Sequence, residues 1–177
     1  MPKGTLPGGP LIEIADCYVV IPNFGKITFN NLPDITDSKS ASYNDETVIG
    51  RSSPLKTYAQ SDNRSISMQI HMIVSQPSDV TFNLVALRAI QSATYPRIGA
   101  SGAPFIPPPI CRLKCGKLIA DEEVCVVLKS YSVKFPTEVA WDESTFTPFK
   151  FDIDTQWDVV YQSSNLPNQD RIMQLGK

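Results

Sequence analysis

From Phe149 to Tyr161 the residue types alternate, with Phe149, Phe151, Ile153, Thr155, Trp157, Val159 and Tyr161 on one side and Lys150, Asp152, Asp154, Gln156, Asp158 and Val160 on the other. A period of two sends these sets to opposite faces of an extended strand, and it excludes a helix over the same residues. Aromatic rings dominate the apolar set, so this strand is expected to anchor a core. Arg64 to Val74 repeats the pattern, with Ile66, Met68, Ile70, Met72 and Val74 set against Ser65, Ser67, Gln69 and His71. Two half-buried strands of this kind imply an antiparallel sheet with one covered face.

The cover is expected between them. Gln76-Pro-Ser78 ends the earlier strand, Ser78 is a suitable N-cap, and Asp79 favours the positive end of a helix dipole. The sequence predicts a helix over 79–94 with Phe82, Val85, Ala86, Ala89, Ile90 and Ala93 as its packing stripe, stopped before Tyr95-Pro96. Leu11 to Ile21 reads as a first strand and Phe24 to Asn30 as a short partner with Ile27 and Phe29 facing one way. Asn31 to Val48, rich in Asp, Ser and Asn, reads as a long loop. After a Gly/Pro/Ala/Ser connector ending in Pro107-Pro108-Pro109, Ile110 to Leu118 and Val124 to Phe135 read as a hairpin. The fold class is therefore α+β, mainly antiparallel β, with one packed helix.

A chain of 177 residues, 42% hydrophobic, supports one core. The expected organisation is an extended, Gly/Pro-rich arm over 1–10, a single β domain over 11–161 and a polar tail over 162–177. The arm, the 31–48 loop and the tail carry too little apolar surface to offset the entropy of ordering, so a neighbour is expected to order them. No apolar run reaches the roughly 20 residues of a membrane-spanning helix. The first ten residues lack the apolar core of a signal peptide, so the expected compartment is a cytoplasm.

Little in the sequence suggests catalysis. The single histidine, His71, falls on the polar side of its strand with no Gly-x-Ser-x-Gly elbow, so it is expected to be a sheet-face residue. Ile49-Gly-Arg-Ser-Ser53 lacks the second glycine and the Lys-Ser/Thr pair of a phosphate loop and reads as a turn. Cys111 and Cys115 alternate with Arg112 and Lys114 on one strand face, roughly 13 Å apart, too far to share a bridge or a zinc ion. Cys125 can meet one of them across the hairpin, but a reducing compartment favours buried thiols for all four cysteines, Cys17 included. No metal site and no cofactor is expected. A net charge of −2 with scattered Lys114, Lys117, Lys129 and Lys134 gives no counterion-release signature, so specific nucleic-acid binding is not expected. Asp152, Asp154 and Asp158 share one strand face; such a row is either ordinary solvation or a negative lining past which a polyanion slides.

Several short motifs, in order, resemble the tail-tube family of contractile bacteriophage tails and baseplates. They are Gly50-Arg-Ser-Ser-Pro54, Tyr58, Arg64-Ser-Ile-Ser67, Leu84-Val-Ala-Leu87 with Tyr95-Pro96, Pro107 to Pro109 before Ile110, and Ser130-Tyr-Ser-Val133 before the last strand. The resemblance spans 48–161 and implies a tail-tube-like β-sandwich or barrel. It also implies a structural, non-enzymatic subunit of the virion, placed edge to edge in a ring, commonly a hexamer, around a channel. Its partners would be other tail-tube and baseplate proteins, and it would start the tube or join it to the hub. Asp152, Asp154 and Asp158 would then line the channel, with DNA passing and no membrane contact. Two other functions are weighed beside this one. A carbohydrate- or receptor-binding β-sandwich would need exposed aromatics on a concave face, and a cell-wall hydrolase would need convergent acids in a cleft.

Overall fold

The computed structural model describes residues 16–98, 105–120, 122–161 and 166. In chain order the elements are β1 (Cys17–Ile21), β2 (Gly25–Thr28), β3 (Asp34–Ser38), β4 (Ala41–Glu46), β5 (Leu55–Ser61), β6 (Ser65–Ile73), α1 (Pro77–Ser92), β7 (Arg97–Ile98), β8 (Phe105–Ile106), β9 (Cys111–Cys115), β10 (Val124–Lys134), β11 (Trp141–Asp142), β12 (Thr147–Pro148) and β13 (Lys150–Val159). Seven of the strands form one sheet in the order β2-β1-β9-β10-β13-β6-β3, with every pair antiparallel. The remaining pairs, β4–β5, β7–β8 and β11–β12, are separate two-stranded ribbons. The fold is thus α+β and mainly antiparallel β.

The alternation of β13 and β6 governs the core. Ile66, Met68, Ile70, Phe151, Ile153 and Trp157 are buried, and in-register pairs such as Trp157 with Ile66 and Ile153 with Ile70 stack them into layers. Thr155 belongs to this buried face. Its hydroxyl donates to the Met68 carbonyl (2.9 Å) and accepts from Trp157 Nε1 (2.8 Å), so both polar atoms are satisfied. Phe149 and Tyr161, expected in the same set, lie past the ends of β13: Phe149 is exposed and Tyr161 only half-buried against the core.

The helix starts earlier than 79–94 and buries most of the expected stripe. Pro77 takes the first helical position, where its fixed φ suits the turn and its missing N–H costs nothing. Gln76, not Ser78, stands at the N-cap. The Asp79 carboxylate accepts from the backbone N–H of Ser75 (3.0 Å) and Gln76 (2.8 Å). Of the expected stripe, Ala86, Ala89, Ile90 and Ala93 are buried, joined by Asn83 and Leu87, while Phe82 and Val85 are 38% and 51% exposed. Asn83, only 1% exposed, donates from Nδ2 to the Ile73 carbonyl (3.4 Å), tying the helix to the end of β6. A polar side chain at an inward position is invisible to a hydrophobic stripe, so Asn83 joins the buried face unannounced by the apolar spacing.

The segment 31–48 is not a loop. It contains β3, which pairs with β6 from Asp34–Gln69 to Ser38–Ser65, and β4, which pairs with β5 from Ala41–Ser61 to Glu46–Leu55. These strands are polar because β3 is a sheet edge and β4 lies outside the body, so neither needs a full apolar face. Arg64 secures the place where the two parts join. Its guanidinium forks onto the Asp37 carboxylate, with Nε 2.9 Å from Oδ1, and its Nη2 donates to the Ile119 carbonyl at 2.8 Å. Replacing Arg64 with Ala should destabilise the fold by about 1–3 kcal/mol, the cost of leaving such partners unpaired. Lys should recover only part of that, since an ammonium cannot fork. Urea denaturation of the two variants reads the difference.

The cysteines also depart from expectation. Cys17 and Cys115 are register partners on β1 and β9, with Cα atoms 4.1 Å apart, and they form a disulfide across 98 residues of sequence. Cys111 is a buried free thiol that burial pushes up to about 11, and Cys125 is free and exposed. At neutral pH Cys111 therefore stays protonated and shielded. Maleimide should label one cysteine, Cys125, in the native unreduced protein and all four after reduction and unfolding. Labelling of Cys17 or Cys115 without reductant would show the bridge to be open.

Candidate functional site

Opposite the core, the sheet presents rows of polar side chains at right angles to its strands. Across β3, β6, β13 and β10 one row reads Thr36, Ser67, Gln156 and Ser130, and the next reads Asp34, Gln69, Asp154 and Ser132. A third continues with His71, Asp152 and Lys134 on β6, β13 and β10. The first two rows line a shallow groove of about 490 Å³. Short hydroxyl and amide groups fill it, so it is wet and nearly flat.

Asp152, Asp154 and Asp158 all lie on this face, as their shared period requires. They are not an unbroken negative row. Asp152 accepts a hydrogen bond from His71 Nδ1 (2.7 Å) and sits in register with Lys134, and Asp158 is 3.6 Å from Lys129 Nζ. Asp154 is the exposed member of the three. Nearby bases therefore offset much of the local negative potential.

His71 sits on the polar face, as the alternation requires, and it links three strands. Its Nε2 is 3.5 Å from Asp34 Oδ2 on β3 while Nδ1 engages Asp152 on β13. Both ring nitrogens face carboxylates, which leaves neither aimed at a serine or cysteine nucleophile. The cluster fastens the edge strand to the sheet centre. Among the described residues no group of three or more His, Cys, Asp or Glu side chains is placed to hold a metal ion. No described helix is long and apolar enough to cross a membrane.

The second feature is the β4–β5 ribbon, which occupies residues whose composition reads as a loop over 31–48 and a turn over 49–53. Every residue of β5 is exposed, as is every residue of β4 except Ser42. The exposed side chains include Tyr43 and Tyr58, whose rings meet edge to face at 5.8 Å, and Val48, Ile49 and Leu55 toward the tip. Gly50, at φ +88°, turns the tip through a region that L side chains rarely adopt, and Arg51 N–H donates to the Val48 carbonyl (3.2 Å). An available signal was Gly50 between two short runs containing Tyr43 and Thr57-Tyr58, the punctuation of a hairpin. No protein-family model and no curated protein matches the sequence.

Proposed function

We propose that the protein is a structural subunit of a contractile phage tail or baseplate that works by self-assembly and by joining unlike neighbours, without catalysis. The observation that carries this reading is the β4–β5 ribbon. An isolated two-stranded ribbon is marginally stable in water, and this one holds bulky apolar side chains outside the core formed by the described residues. A surface built so is economical only when another protein covers it. Among the described residues β2 and β3 are the edge strands of the sheet, and edge strands can extend pairing between copies.

In this reading the copies form a ring, commonly of six, within the virion, and the polar sheet face lines its channel. Asp154 stands at the centre of the lining with Asp152 and Asp158 beside it. Hydroxyls, amides and paired charges keep the wall hydrated, and the carboxylates disfavour adhesion of passing DNA. The partners are other tail-tube and baseplate proteins, and assembly takes place in the host cytoplasm. The test is co-expression with the tail proteins of the same phage: the chain should enter tail particles in a fixed stoichiometry, and its exclusion from them would overturn the proposal. Within such particles, changing Asp154 to Lys should leave assembly intact and impair DNA delivery, read as infectivity per assembled particle. Equal infectivity of the variant would remove Asp154 from the lining.

A further inference from the structure

Cys17 opens β1 and Cys115 closes β9, and the bridge between them is the end rung of the β1–β9 ladder, which runs on through Tyr18–Lys114 and Val19–Leu113 to Val20–Arg112. In the strand order β2-β1-β9-β10, that ladder joins the β1–β2 hairpin to the rest of the described sheet. The disulfide therefore adds a covalent rung to a short joint. A subunit assembled in a cytoplasm, however, folds where glutathione and thioredoxin keep thiols reduced.

Three features fit the pair for two redox states within one fold. Both side chains lie in buried rows, Cys17 with Val19 and Ile21 on β1, and Cys115 with Leu113 and Cys111 on β9. Cys111 sits in its row as a free thiol, so the same core accepts a small, weakly polar S–H without a bridge. The pair also lies where ladders open first. Just beyond it the Gly116 N–H donates to the Asp16 carbonyl (2.7 Å) and the chain turns away with Gly116 at φ +54°, so fraying at this end admits a small oxidant without opening the core. Finally, the other two cysteines have other neighbours: Cys111 lies opposite Val126 and Cys125 opposite Arg112. Oxidation within the chain then has a single product.

We propose that Cys17 and Cys115 form a redox-conditional staple, a dithiol while the subunit folds and assembles and a disulfide once the particle leaves the reducing compartment. The timing rests on the assembly reading above; the chemistry does not. In the closing step one cysteine thiolate attacks a low-molecular-weight disulfide such as oxidised glutathione and releases one small thiol. The second cysteine thiolate then displaces the other small thiol from the mixed disulfide. Two cysteines are oxidised, one small disulfide is reduced to two thiols, and the cysteine protons end on those thiols. The bridge ties residues 98 apart in sequence, around β2, β3, the ribbon, β6 and α1, so it removes more freedom from the unfolded chain than a short loop would. The fold stays the same and its resistance to unfolding rises.

Acid quenching followed by maleimide labelling under denaturant reads the state in the full chain, with Cys125→Ser to silence the exposed thiol. Cells expressing the chain in a reducing cytoplasm should yield label on Cys17, Cys111 and Cys115 at harvest, and the purified protein incubated with oxidised glutathione should yield label on Cys111 alone. Thermal unfolding with and without reductant should give one cooperative transition each, with Tm roughly 4–16 °C higher for the bridged form and the same far-ultraviolet circular dichroism. A Cys17→Ala, Cys115→Ala double variant should lose the dependence on reductant. A bridge already closed in the quenched cells would make it a constant part of the fold, and a reduced chain without a cooperative transition would make it a condition of folding; either overturns the inference. Equal Tm values in the two states would overturn it as well. A bridge that follows the expected course in a chain excluded from tail particles would overturn the assembly reading and leave the staple in place.

Discussion

Replacing residues 42–60 with an Asn-Gly turn should abolish assembly, with at least a hundredfold rise in the concentration needed for it, while the remaining domain still folds. The ribbon contributes no side chain to the buried core, so its loss removes exposed surface and leaves the seven-stranded sheet closed by a new turn at the Ala41–Ser61 pair. The ring contact of Tyr43 with Tyr58 and the Lys56–Asp45 ion pair at 2.9 Å are internal to the ribbon and exposed. Exposed pairs of that kind add little stability. Thermal unfolding and sedimentation, measured on the same preparation, separate the two effects. A variant that unfolds far more easily would make the ribbon part of the fold; one that assembles as before would remove it from the interface.

The second large effect belongs to Trp157. It is fully buried, sits in register with Ile66 on one side and Leu128 on the other, and its indole N–H is satisfied by the Thr155 hydroxyl. Replacing it with Ala should cost about 3–5 kcal/mol, the transfer loss plus the cavity that rigid neighbouring strands cannot close. For a domain of this size that is a fall in Tm of roughly 6–20 °C. Trp157→Phe should retain most of the packing, yet it leaves the Thr155 hydroxyl without its donor, so the loss should be smaller but measurable. A Trp157→Ala variant within 1 °C of the parent would show that β13 does not anchor the core.

The parts of this fold legible in the sequence are those where burial writes a period. β6 and β13 are central strands with one covered face, so Ile66 to Met72 and Phe151 to Val159 alternate in the sequence as they do in space. The polar face follows from the same rule, and it carried Asp152, Asp154, Asp158 and His71 to their observed side of the sheet. Where burial is weak the signal fades. Asp34-Ile-Thr-Asp-Ser38 and Ala41 to Glu46 are strands by pairing rather than by apolar content, and their composition matches that of a loop. On the helix, Asn83 and its bond to the Ile73 carbonyl leave no mark in the sequence, because a polar inward residue adds nothing to an apolar stripe. The Cys17–Cys115 bridge depends on β1 lying beside β9, a long-range neighbour relation that local patterns do not encode. Likewise the opposing partners of the acids, Lys134 on β10 and His71 on β6, emerge only from the strand order.

That strand order bears directly on the proposed role. The sheet has its core and helix on one face and a wet, polar surface on the other, and it carries an exposed ribbon. Light scattering coupled to size-exclusion chromatography, run on the purified chain over a wide concentration range and again with co-expressed tail proteins, tests that role most directly. The account predicts a concentration-dependent closed oligomer, six times the 19.6 kDa chain mass for a hexameric ring, or a fixed-ratio complex with those proteins. A single 19.6 kDa species under every condition, particularly one that binds glycans, would contradict it.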